Sequence, residues 1–183
     1  MLYAIRRYFL SNYTNTPYNV IMKILEYDRT AAVAYAKRWA FGRNPAFYDF
    51  SNLGGDCTNF ASQCIYAGAK VMNYTPEYGW FYINLNNRTP SWTGVEFLYR
   101  FLVNNDGIGP FAEETPLSEL QPGDIVQLGR ATGDFYHSPV VVGIKDGQIL
   151  VAAHTYDAYN KPLNSYNFAR ARGIHILGVR KED

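Results

Sequence analysis

Apolar residues recur at helical spacing in the first hundred positions and at strand spacing after them. Asp28 precedes an alanine-rich stretch, Arg29 to Phe41, that reads as a capped helix closed by Gly42. A second helix is predicted to start at or just before Cys57, where Phe60, Cys64 and Ala67 share one stripe, Ala61 and Ile65 flank it, and Gly68 is placed to stop it. A third amphipathic run, Gly94 to Leu102, ends near Asn104-Asn105. Beyond Leu117 the texture becomes β-like. Gln121-Pro122-Gly123-Asp124 is a turn signal before the strand Ile125–Leu128, and His137 opens Val140–Ile144. Asp146-Gly147 supplies a two-residue hairpin turn into Gln148–His154, and Gly173–Val179 reads as a last strand. Helices followed by an antiparallel sheet give an α+β order.

Between these elements, Arg43–Asp56 is a loop dense in Asn, Pro, Tyr and Gly, and Val71–Pro90 reads as a long aromatic loop of the kind that lines binding sites. The first stretch carries a turn cluster, Ser11 to Pro17, and reads as a short appendage, helical in part. The expected organisation is an appendage over residues 1–27 and a catalytic domain over 28–183.

Composition narrows the function classes. Hydrophobic residues at 48% and charged residues at 18% place the chain outside the disordered regime. The 17 Lys and Arg balance 16 Asp and Glu, net +1, which leaves no broad basic field for nucleic acid or anionic lipid. No apolar run reaches the roughly 18–20 residues that span a bilayer. Met1–Tyr8 carries charge inside its apolar stretch and lacks a cleavage site, so no signal peptide is expected, and the compartment stays open.

The two cysteines differ in placement. On one helix, Cys57 and Cys64 stand roughly 10 Å apart along the axis, beyond the Cα spacing of a disulfide. Cys64 falls on the apolar stripe as an inert core residue. Cys57 sits at the helix N-terminus, where backbone N–H groups and the helix dipole favour a thiolate, and Gly54 and Gly55 let substrate backbone approach. Such a nucleophile needs a base, and His137 at the start of a strand can face it. His154 ends the paired strand, where it is placed to orient that base; Asp157 is the competing carboxylate. His175 reads as an outward-facing strand residue. A zinc site of Cys57, His137 and His154 lacks any Cys-x-x-Cys or close His pair, so no metal or other cofactor is expected.

Gly-Gly-Asp-Cys-Thr-Asn-Phe-Ala-Ser-Gln at 54–63 resembles the nucleophile motif of the amidase domains of Gram-positive bacteria, which are similar to NlpC-type and CHAP cell-wall enzymes of the papain-like clan. The Pro122-Gly123-Asp124 turn, His137-Ser138, and His154-Thr155 followed by Asp157 extend the likeness. The resemblance implies a papain-like fold and a cysteine amidase or peptidase. Its substrates would be peptides, those of peptidoglycan above all, cut through a thioester by Cys57 and His137. It further implies a polar third residue at His154, although the spacing of 154 − 137 = 17 is long for that group and keeps Asp157 open. Tyr48 matches an upstream tyrosine that assists the oxyanion, and Asn59 and Gln63 would support the helix. A thiol-dependent acyltransferase, or a peptidoglycan-binding module without turnover, would share these residues.

Overall fold

In the computed structural model, which describes residues 21–183, Asp28 caps the first helix as its position predicts, its side chain accepting from the Ala31 N–H at 2.8 Å. In chain order the elements are Met22–Leu25 (β1), Arg29–Trp39 (α1), Cys57–Ala69 (α2), Tyr82–Asn84 (β2), Asn87–Arg88 (β3), Pro90–Thr93 (α3) and Val95–Asn104 (α4). Then come Gly109–Thr115 (β4), Ile125–Gly129 (β5), Phe135–His137 (β6), Val140–Lys145 (β7), Gln148–Ala153 (β8), Ala158–Pro162 (β9) and Arg170–Glu182 (β10). The fold is α+β, with an eight-stranded antiparallel sheet that curls around its helices.

β10 organises the sheet. Arg170–Ile174 pairs with β5, Gly173–Arg180 with β4, and Val179–Glu182 with β1, so one strand of 13 residues serves three partners. A register shift between Ile176 and Gly178 bends it to do so. The path continues from β5 through β7 and β8 to β9, with β6 hung on β5. Residues 22–25, read from sequence as appendage, are thus the sheet's first strand; the helical reading of the earlier residues lies outside the described ones.

α2 is buried on every side except at Tyr66, as its high apolar content requires. It stops two residues later than Gly68 predicts, at Lys70 in the left-handed conformation with φ 58°. Gly68 serves close approach instead: a Cβ there would stand 2.4 Å from the Tyr27 ring and 2.7 Å from the Asp28 carbonyl oxygen, inside any allowed contact. The main core joins α1, α2 and α4 to the inner sheet face, and a smaller cluster around Leu120, Val126, Leu128 and Val141 covers the other face.

The aromatic segment 71–90 is not an open loop. Trp80 is fully buried and bonds through Nε1 to Ser62 Oγ at 3.1 Å; the same hydroxyl donates to the Trp92 carbonyl at 2.9 Å. The two indoles lie 4.8 Å apart, and Trp92 Nε1 donates to Asn59 Oδ1 at 2.9 Å. The segment, with its small hairpin β2–β3, therefore packs as a lid of core on α2. Its exposed large apolar residues are Tyr74, Tyr78 and Ile83. His175 also differs from its reading: its Nδ1 meets Asp124 Oδ2 at 2.7 Å, in a network where Asp124 holds Arg29 and the Ile176 N–H.

Candidate active site

The loop before α2 turns sharply at Gly54 and Gly55, with φ of 87° and 107°, and delivers Cys57 as the first residue of the helix. Its thiol is 8% exposed. Thr58 Oγ1 lies 3.8 Å from Cys57 Sγ, and the Ser138 and Thr58 backbones beside it favour the thiolate. Thr58 Oγ1 is 3.3 Å from Ser138 Oγ, which also accepts from Gln127 Nε2 at 3.2 Å. The peptide that follows His137 is thereby fastened to the nucleophile's end of the helix. Burial nevertheless outweighs these contacts and pushes the Cys57 thiol up from its ordinary value, opposite to the effect expected of the helix start alone.

His137 ends β6, opposite Leu128 of β5, and is 7% exposed. Its ring lies between those of Tyr136 and Tyr166, at 6.4 and 5.7 Å, and among the described residues neither ring nitrogen has a hydrogen-bond partner. Burial, then the Lys161 charge, lowers its pKa from 6.5 to about 4. At neutral pH the site therefore holds a thiol and a neutral imidazole. The same shift bears on stability. A base whose folded pKa is depressed gives stability that is complete above 6.5 and is lost as pH falls through about 4. His137→Asn is expected to remove about 3 kcal/mol of that acid loss, from the 1.36 kcal/mol per pKa unit; urea unfolding at pH 7 and at pH 4 measures it, and an unchanged difference would refute it.

His154 does not reach His137 through a hydrogen bond. Its Nε2 donates to the Trp39 carbonyl at 2.8 Å and its Nδ1 meets Asp56 Oδ2 at 2.5 Å, while Phe60 stacks on the ring at 3.9 Å. A carbonyl only accepts, so Nε2 carries hydrogen, and the proton on the other side is shared with the carboxylate in a charge-assisted bond. Asp157 instead binds Arg43, at 3.0 and 2.9 Å. Both candidates for orienting the base thus grip the nucleophile's loop. Thr155 joins them, its Oγ1 accepting from the Asp56 N–H at 2.9 Å.

Two residues central to that grip were not singled out from sequence. Asp56 is fully buried and also accepts from the Phe50 N–H and Asn59 Nδ2, at 2.8 and 2.9 Å. Arg43 approaches Asp49 at 3.4 Å and Asp56 at 3.6 Å. A signal was available: Arg43 is the only cation between positions 43 and 56, a loop with acids at 49 and 56. Asn59 holds the Tyr48 carbonyl at 3.1 Å besides Asp56, and Gln63 accepts from Tyr35 at 2.6 Å. The Tyr48 ring is 44% exposed and packs edge-on against Phe50. Cys64 is fully buried, both cysteines are free, and among the described residues no three His, Cys, Asp or Glu side chains gather as a metal site.

Residues 26–177 match the family described as "Putative amidase domain". The chain belongs to that family. At this level it is an amidase domain, with amides as the bonds its description names, and the match takes in α1 through most of β10, Cys57 and His137 included. An uncharacterized protein of Bacillus subtilis, YhbB, is 34% identical over 139 residues, which is 74% of this chain and 44% of that protein. The amidase domain thus spans less than half of this relative's length. No solved structure matches the chain.

Proposed function

We propose that this amidase domain is a papain-like cysteine hydrolase in which Cys57 attacks an amide carbonyl and His137 is the base. The observation that carries the reading is the contact of Thr58 Oγ1 with Ser138 Oγ at 3.3 Å, which ties the residue after the histidine to the helix start bearing the thiol. As sulfur attacks, its proton passes to neutral His137. The backbone N–H groups at the start of α2 face the negative charge that develops on the carbonyl oxygen. The imidazolium then gives its proton to the departing amine, leaving a thioester. Water, deprotonated by the same ring, releases the acid and restores the thiol. His154, Thr155 and Asp157 serve by holding the loop that presents Cys57. The substrates are peptide amides of the cell wall, a class supported by the motif at 54–63 and its likeness to cell-wall enzymes.

The test is cleavage of peptidoglycan-derived peptides, with products identified by mass as a new amine and a new acid. Since only neutral His137 accepts the proton, the acid limb of kcat/KM is expected near pH 4 rather than near the ordinary 6.5. Cleavage that survives His137→Ala, or a limb at or above 6.5, would overturn the assignment of the base.

A further inference from the structure

Lys161 on β9 is a part-buried cation with no counter-ion among the described residues. No carboxylate among the described residues forms an ion pair with it, and residues 1–20 contain no Asp or Glu. Three part-buried arginines contrast with it: Arg43 has Asp157, Arg29 has Asp124 and Arg172 has Glu96. The Lys161 ammonium instead lies 4.0 Å from the centre of the Tyr166 ring, whose own centre is 5.7 Å from that of His137. A ring face compensates an ammonium only in part. The Tyr166 hydroxyl is also buried without a hydrogen-bond partner. Burial holds that phenol above its ordinary pKa, so it keeps its hydrogen.

An unpaired cation, an unpaired hydroxyl and the base thus share one corner of the molecule. We propose that Lys161 and the Tyr166 hydroxyl receive a carboxylate of the substrate, so that the preferred substrates carry an acidic group beside the amide that Cys57 attacks. The inference rests on the reading of Cys57 and His137 as the reacting pair. One ammonium and one hydroxyl match the two oxygens and single charge of a carboxylate; a phosphate group would call for more positive charge. The arrangement also selects by rate. Lys161 opposes protonation of His137, and a carboxylate seated on it cancels that opposition just where the ring must become cationic, so the acidic substrate gains in the transition state as well as in binding.

Two measurements test this. Stem peptides are cleaved before and after amidation of their carboxylates, by wild type and by Lys161→Met. Amidation should lower kcat/KM roughly tenfold in wild type, about what 1.4 kcal/mol of ion pairing amounts to, less than about twofold in Lys161→Met, and as in wild type in Lys161→Arg. Independently of turnover, the His137 ring resonances should shift with N-acetylglutamate but not with N-acetylglutamine, and Lys161→Met should abolish the response. Equal losses on amidation in wild type and Lys161→Met, or no shift of His137 at about 50 mM N-acetylglutamate, would overturn the carboxylate site. Cleavage persisting in Cys57→Ala would instead overturn the reading beneath it.

Discussion

Cys57→Ala should abolish amide cleavage, with a fall of at least ~10,000-fold, because the route through a thioester disappears with the sulfur. The variant should fold. Its loss is the contact of sulfur with Thr58 Oγ1, worth about 1 kcal/mol or less, and the helix start keeps Asp56 and its partners. Alkylation offers a second view of the same thiol. Iodoacetamide should label Cys57, which is 8% exposed, and spare Cys64, which is fully buried until the protein unfolds. Because burial holds the Cys57 thiol above its ordinary pKa, labelling should still be accelerating as pH rises past 8. First modification at Cys64, or cleavage unchanged in the variant, would sink the nucleophile. The wild-type product separates the neighbouring chemistries: a free acid marks hydrolysis, a new amide marks acyl transfer, and bound but uncut peptide marks a binding module.

The largest effect on stability is expected at the pair His154 and Asp56. Both side chains are 1% exposed, and removing one leaves the other's charge buried. His154→Ala should therefore cost about 3–5 kcal/mol, a fall in Tm on the order of 10 °C for a domain of this size. Asp56→Ala should cost as much, and the double variant much less than the sum, since the two act on one bond. Calorimetry on the three variants supplies the cycle; additive losses would show that the ring and the carboxylate stand independently. Asp157→Asn, by contrast, changes a pair at the surface, with side chains 27% and 33% exposed, and should cost about 1 kcal/mol or less.

The helices were legible because period and caps agree in them. Asp28 and the stripe Phe60, Cys64, Ala67 mark α1 and α2 closely, and the Asp146-Gly147 turn marks the hairpin of β7 and β8. Other elements gave no pattern of their own. β4, Gly-Pro-Phe-Ala-Glu-Glu-Thr, does not alternate cleanly, and its strand character comes from β10 beside it. Segment 71–90 has no period because its aromatics fill three-dimensional space over α2 rather than one face of an element.

In the site, residue type identified Cys57 and His137, since few side chains do nucleophilic chemistry at neutral pH. The role of His154 depends on what its two nitrogens meet, Trp39 and Asp56, 115 and 98 residues away in the chain. Spacing along a strand carries no information on such partners. The thiol's acidity was misjudged for a related reason: a helix start is visible in sequence, whereas the burial that outweighs it comes from distant segments.

The long strand that β1, β4 and β5 all lean on follows every other strand of the sheet in chain order and is therefore the last of them to be synthesised. Until it leaves the ribosome those three strands lack their common neighbour, and the growing chain carries open edges that invite wrong pairing. Completion of the sheet must wait for β10, and a nascent chain stopped short of Arg170 has its cysteine and histidine but not the strand that closes the fold around them.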